Sequence, residues 1–195
     1  MESGKLFILS APSGTGKTTL VSKLIAQLKE NYVFERVITY TTKQPRVSEV
    51  HGKDYYFVSE EEFKTKIDEG FFLEWSTAYG AYYGFPRAIL EELKNGASFV
   101  AVLDRQGAYA VKAQVHDCTL IWLKPPTFEV LEKRLCERAQ DTQEVIQYRL
   151  QLAQKELEDE EKQPFFDHSI VNDTFEDALN SLTRIISQEL SFCNT

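Results

Sequence analysis

Leu6-Phe7-Ile8-Leu9-Ser10-Ala11-Pro12-Ser13-Gly14-Thr15-Gly16-Lys17-Thr18-Thr19-Leu20 decides how the rest of the chain is read. The apolar run Leu6–Ser10 predicts a buried strand. Residues Thr18–Leu28 predict an amphipathic helix with Leu20, Leu24, Ile25 and Leu28 on one face. Between them lies a G-x-x-x-x-G-K-[ST] loop with Ala11 in the first glycine slot. Gly14 and Gly16 let the backbone wrap closely, so that its N–H groups converge on phosphate oxygens. The helix N-terminus adds the positive end of its dipole. In such a cradle Ala11, Pro12, Ser13, Gly14, Thr15, Gly16 and Thr19 bind the phosphates of a nucleoside triphosphate. Lys17 neutralises the β and γ phosphates, and Thr18 offers its hydroxyl to Mg²⁺.

Outward from this loop, strand-like and helix-like stretches alternate. Phe34–Thr42, Asp54–Val58, Phe71–Trp75 and Ala81–Tyr83 read as strands, and Ser59 with Glu60-Glu61-Glu62 opens a short helix. Pro86 is placed to start a helix that Gly96 ends. Phe99–Leu103 and Thr119–Leu123 are continuous apolar runs, the mark of parallel strands buried on both faces. A charged helical stretch runs from Phe128 to Glu161, followed by a strand at His168–Val171 and a helix at Phe175–Leu190. The expected fold is α/β, a parallel-sheet core with helices on both faces. The aromatic middle, from about residue 35 to 85, does not alternate and reads as an inserted β-rich subdomain. The stretch around 128–155 is a second excursion from the core. Trp75 and Trp122 are expected in the core, the acidic run Glu156–Glu161 on a solvated helix face, and His51, His116 and His168 in loops or packing.

Composition narrows the classes. The 195 residues suit about one domain, and 43% hydrophobic with 27% charged residues is ordinary for a globular chain. A net charge of -8 argues against non-specific nucleic-acid or anionic-membrane binding. A polyphosphate ligand therefore needs cations gathered locally. Cys118, Cys136 and Cys193 are odd in number and lack metal or disulfide spacing, which fits a reducing compartment. No apolar run approaches the ~18 residues of a membrane span. The first strand follows so closely on the start that no leader is expected. The expected location is the cytoplasm, with no membrane, nucleic-acid or protein partner signalled.

Two cationic segments answer the need for local charge. Arg134 and Arg138, four apart, share a helix face, and Arg149 follows on the same stretch. Guanidiniums suit a transition state that spreads charge over phosphoryl oxygens. A solvated face balanced by Glu132, Glu137 and Glu144 is the plainer reading of the same residues. The second segment, Thr39-Tyr40-Thr41-Thr42-Lys43-Gln44-Pro45-Arg46, combines hydroxyls and cations suited to another phosphate, to which Tyr55 and Tyr83 could donate. An edge hairpin with surface cations is the alternative there.

Over nearly its whole length the chain resembles the guanylate kinase family. The resemblance rests on the phosphate loop Ala11–Thr18, Thr41–Arg46, Glu49–Tyr55, Phe72-Leu73-Glu74-Trp75 and Tyr82-Tyr83-Gly84. It continues through Asp104-Arg105-Gln106-Gly107, Arg134-Leu135 with Arg138, Glu144 and Arg149, and Ile170-Val171-Asn172-Asp173. It implies transfer of the ATP γ-phosphoryl group to GMP with Mg²⁺. It assigns Lys17, Arg46, Arg138 and Arg149 to catalysis, and Arg134 and Asn172 to ATP alongside the loop. It assigns Thr39, Lys43, Arg46, Tyr55, Glu74, Tyr83 and Asp104 to GMP. The carboxylates face the guanine N1–H and 2-amino group. It divides one domain, residues 1–195, into a core (1–35, 86–127 and 156–195), a GMP-binding subdomain (36–85) and a helical lid (128–155).

Four positions depart from the family pattern. Lys43 replaces the usual Arg, and Thr39 the usual Ser. Phe85 stands where a hydroxyl residue is expected to reach guanine O6. Val102 stands where an aspartate is expected near the Mg²⁺ shell. These leave two alternatives beside a guanylate kinase: a monophosphate kinase of altered base preference, or a non-catalytic interaction module.

Overall fold

The computed structural model describes residues 3–78, 80–137 and 142–191. The elements begin with β1 (Leu6–Ser10), α1 (Lys17–Leu28), β2 (Phe34–Arg36), β3 (Tyr40–Thr41), β4 (Tyr56–Phe57) and α2 (Glu60–Asp68). They continue with β5 (Phe72–Ala78), β6 (Ala81–Pro86), α3 (Ile89–Lys94), β7 (Ser98–Leu103) and α4 (Arg105–Gln114). The remainder is β8 (Cys118–Lys124), α5 (Phe128–Cys136), α6 (Gln143–Lys162), β9 (His168–Val171) and α7 (Phe175–Ser191).

The five-stranded sheet has the order β2-β7-β1-β8-β9 and is parallel throughout. Its strands read as unbroken apolar runs because helices cover both faces. Along β1 the alternation is strict. Phe7 and Leu9 pack with Leu20, Leu24, Leu182 and Ile186 of α1 and α7. Leu6 and Ile8 pack with Ile89, Leu93, Ala108 and Val111 of α3 and α4. The parallel strands end at one edge, where β1 delivers the glycine loop and β7 delivers Asp104. Open α/β sheets bind ligands outside that carboxyl edge.

A second sheet, β4-β3-β6-β5, stands beside this edge. The run Phe34–Thr42 is therefore not one strand. Its first residues pair with β7 and its last with β6, and the chain changes sheets between them. Asp54–Val58 narrows to Tyr56–Phe57. Pro86 does not start a helix. It is held extended opposite Phe72, and Arg87 N–H continues the ladder to Phe71 O at 3.0 Å, so the helix waits until Ile89. Ser59 caps α2 as expected, its hydroxyl accepting from Glu62 N–H at 3.1 Å.

The charged helical stretch consists of two helices, capped by the hydroxyls of Thr127 and Thr142. Leu131 and Leu135 of α5 close on Ala153, Ile146 and Leu150 of α6. Trp122 is in the core, but Trp75 is 46% exposed. It sits on β5 between Glu74 and Ser76, whose side chains claim the inner face, so alternation turns it out against Tyr82.

The second sheet tolerates no added bulk at Gly84. A Cβ there would lie 2.6 Å from Phe72 Cδ1 and 2.9 Å from Phe63 Cζ. Those two rings are stacked at 4.5 Å and cannot separate freely. Gly84→Ala is expected to cost about 1–3 kcal/mol through overpacking. For a chain of this size that lowers the thermal midpoint by roughly 3–10 °C. Circular dichroism melting checks it, and an unchanged midpoint contradicts the packing argument.

Candidate active site

The glycine loop adopts the conformation its sequence requires. Gly14 (φ 93°) and Gly16 (φ 89°) both lie in the left-handed region that side chains resist. The loop is braced from within and beneath. Thr15 Oγ1 donates to Pro12 O at 2.7 Å, and Asn172 Nδ2 donates to Thr15 O at 2.6 Å. Helix α1 starts after Gly16 with no side-chain cap, which leaves its first N–H groups to a ligand. Lys17 Nζ lies back across the loop, donating to Ala11 O at 2.5 Å and Pro12 O at 3.1 Å.

A cavity of about 430 Å³ opens over this loop, and its far wall is the second sheet. Thr39, Lys43, Arg46, Tyr55 and Tyr83 line that wall. Glu49 gathers the cations. Lys43 Nζ forms a short ion pair with Glu49 Oε2, which also accepts from Arg46 N–H at 2.8 Å. Arg46 Nη1 stands 3.9 Å from Glu49 Oε1. Burial works to raise the Glu49 carboxyl, but these hydrogen bonds and charges outweigh it and hold it below the usual carboxylate value. Burial pulls Lys43 below the ordinary lysine value despite Glu49. The contact between the two groups marks them as an ion pair. Burial raises Tyr55 and pushes Tyr83 up to about 12, so both keep their protons and remain donors at neutral pH.

At the floor two carboxylates converge. Glu74 is 8% exposed. Burial, then the neighbouring charge of Asp104, pushes it up to about 7. Asp104 follows β7 and caps α4, its Oδ1 accepting from Gly107 N–H at 2.7 Å. A Cβ on Gly107 would meet Glu74 Oε1 at 2.8 Å and Asp104 Oδ1 at 3.3 Å, so only glycine lets both approach. Ser76 donates to Asp104 Oδ2 at 3.4 Å.

The structure thus brings nearly all the residues singled out in the sequence to one cavity. Arg149 enters it from α6. Three described residues are placed otherwise. Pro12 is buried behind the loop. Asn172 is 6% exposed and props the loop from below. Arg134 does not line the cavity and donates with both Nη1 and Nη2 to Asn172 O at 3.3 Å, tying α5 to that prop. Arg138 lies outside the described residues. Of the departures, Val102 lines the cavity with an apolar side chain, whereas Phe85 is fully buried among Leu73, Ile89 and Leu103.

The cavity also holds Glu49, which the sequence reading named without a role, and groups that it passed over. Ser76 is one of these. Glu156 is another, and it corrects the expectation of a solvated acidic run. It faces the cavity, and burial pushes its carboxyl up to about 7 against the pull of Lys17. Its Oε2 has no hydrogen-bond partner among the described residues. Glu160 also turns inward, pairing with Arg105 at 3.2 Å and accepting from Phe165 N–H at 2.8 Å. Both lie on the inner side of α6 because Ala153, one and two turns earlier, sets that side against α5. Only the spacing Ala153, Glu156, Glu160 along one helix face hints at it in the sequence, and the flanking charges mask that hint.

Fold and cavity together define the class, a P-loop α/β protein whose phosphate loop faces a separately built cationic wall across one cleft. The family model described as guanylate kinase matches residues 3–189. A guanylate kinase of Shewanella violacea is 42% identical over 191 residues, covering 96% of this chain and 89% of that protein. One from Geobacter metallireducens is 38% identical over 187 residues, covering 95% and 89%. The crystal structure of the Anaplasma phagocytophilum guanylate kinase superposes with a TM-score of 0.78 at 29% identity, over 97% of this chain and 88% of that one. A gluconokinase from Sinorhizobium meliloti, at 14% identity and a TM-score of 0.53 over the full length of both chains, shares the fold. The chain belongs to the guanylate kinase family.

Proposed function

We propose that the chain is an active guanylate kinase, which transfers the ATP γ-phosphoryl group to GMP and releases ADP and GDP. The observation that carries the reading is the single cavity with the phosphate loop on one wall and the cationic, tyrosine-bearing sheet on the other, a carboxylate pair at its floor. In this reading residues 36–85 are the GMP-binding subdomain, 128–155 the lid, and the rest of the chain the core.

The two substrates are both polyanions, so the main task is to hold repelling charges in line. On the ATP side the open N–H groups of the loop and α1 bind the β and γ phosphates. Lys17 leaves the Ala11 and Pro12 carbonyls to neutralise them. On the GMP side Lys43, Arg46, Tyr55, Tyr83 and Thr39 take the phosphate, which replaces Glu49 as partner of the cations. The nucleophile is an oxygen of the GMP phosphate, largely dianionic at pH 7 because its second pKa is ~6. It needs no side-chain base. Its bond to Pγ forms as the bond from Pγ to the β-bridging oxygen breaks, and the electron pair leaves with ADP. Arg149 on α6, with Arg138, covers the equatorial oxygens, and Arg134 and Asn172 hold the loop beneath.

The donors fit a divalent ion that prefers oxygen. Thr18 supplies a hydroxyl beside the phosphate positions, and Asp104 and Glu156 place carboxylates in the same cavity. Val102 supplies no oxygen there. Thr18 with the oxygens of the triphosphate would hold Mg²⁺, which when bound offsets charge on the β and γ phosphates.

A coupled assay of ADP release, with ATP, Mg²⁺ and each of GMP, dGMP, IMP, AMP, CMP and UMP, tests the reading. GMP and dGMP are expected to be preferred acceptors. Equal turnover of AMP would mark a kinase of altered base preference. No turnover of any monophosphate would leave an interaction module.

A further inference from the structure

We propose that Ser76 is a base-reading residue whose hydroxyl donates to the 6-oxo group of the bound guanine, in place of the hydroxyl that Phe85 lacks. The inference rests on the guanylate kinase reading above.

Strand β5 sends Glu74, Ser76 and Ala78 to the cavity and Trp75 away from it. In the ladder Glu74 lies opposite Phe85, and Ser76 opposite Tyr83. Directly opposed residues of an antiparallel pair share a face, so Ser76 is the diagonal neighbour of Phe85 on that face, at ~7–8 Å. Phe85 is fully buried and offers the cavity no side-chain donor. The Ser76 hydroxyl stands at the carboxylate pair, on Asp104 Oδ2.

The chemistry of the base requires such a donor. The pairing edge of guanine presents donors at N1 and the 2-amino group and an acceptor at O6. Ionised Glu74 and Asp104 can only accept, which suits the two donors and leaves O6 unmatched. Asp104 Oδ1 is already committed to capping α4, so Oδ2 is the oxygen that can turn to a ligand. The Ser76 contact to it, at 3.4 Å, is long and weak. When guanine enters, Oδ2 exchanges the hydroxyl for a base N–H, and the released hydroxyl turns to O6. Every polar group then finds a partner, which a buried site requires.

The test uses the full chain, with ATP and either GMP or 6-thio-GMP as acceptor. The thio analogue keeps both base donors and replaces O6 by sulfur, a weak acceptor. Ser76→Ala is expected to raise KM for GMP about tenfold, the worth of one neutral hydrogen bond, with kcat within about threefold. KM for 6-thio-GMP is expected to change less than about threefold, because there is little bond to lose. Ser76→Thr, which keeps the hydroxyl, is expected to restore GMP. Comparing two acceptors on one protein preparation removes any effect of folding yield. Equal losses with both acceptors would show that Ser76 acts only through Asp104 or the sheet, and would overturn the proposal, as would no loss with either. A wild-type chain that does not phosphorylate GMP would instead remove the guanylate kinase reading itself, and this inference with it.

Discussion

Lys17→Ala is expected to lower kcat by about 10³-fold or more while leaving the chain folded. Lys17 is the one loop side chain whose charge reaches the cavity, and it is not part of the core. In the structure its Nζ rests on Ala11 O and Pro12 O, contacts that in the proposed reading it gives up to phosphate. Ala11 lies at the cavity, where its carbonyl can turn to water, and Pro12 O keeps its bond from Thr15 Oγ1 at 2.7 Å, so the loss of Lys17 is not expected to cost stability. What is lost is a positive charge fixed where negative charge is redistributed between the β and γ oxygens. Neither Arg149 nor Arg46 can replace it, because each approaches from a different wall. Stopped assays of ADP formation, beside a thermal melt, separate the two effects. A variant that keeps more than about a tenth of wild-type kcat would show that the loop and α1 suffice, and that Lys17 is not catalytic.

How much of this was legible in the sequence depends on what each residue's role requires. The glycine loop was readable because its chemistry lies in the local backbone and in one lysine. The parallel strands were readable because burial on both faces forces unbroken apolar runs such as Phe99–Leu103. Phe34–Thr42 was misread because apolar content cannot tell a strand of one sheet from a chain crossing between two. Pro86 was misread because its φ suits a helix start and an extended ladder equally, and only the partner Phe72 decides. Glu156 was hidden by its neighbours. Amid Glu158, Asp159, Glu160 and Glu161 it looks like one more solvated charge, and only packing through Ala153 turns it to the cavity. Ser76 carried no local signal at all. Its meaning comes from lying diagonal to Phe85 across the β5–β6 pair and against Asp104, which follows a strand of the other sheet.

Glu74→Gln sets function against stability. The carboxylate is buried and pushed up to about 7, and in the proposed reading it accepts from guanine. Glutamine puts an N–H₂ donor among the base donors, and kcat/KM for GMP is expected to fall about 10²–10³-fold. In the free wild-type protein the accepting form exists only above the folded pKa, so kcat/KM should decline as pH falls below about 7. The substrate phosphate contributes a second inflection near ~6, and the variant is expected to keep that one alone. Stability has the opposite sign. The native state holds the Glu74 proton more tightly than the unfolded chain, whose pKa is the ordinary 4.5. Native protein therefore binds more protons between 4.5 and about 7, and the Glu74 contribution to stability falls as pH rises through that window. At pH 8 the variant, free of that buried charge, is expected to be more stable by on the order of 1–3 kcal/mol. Near pH 4.5 the advantage should vanish, because Glu74 is then neutral in the folded protein. A variant less stable than wild type at pH 8 would mean that the carboxylate is held by the fold for its own packing, and not retained at a cost for the base.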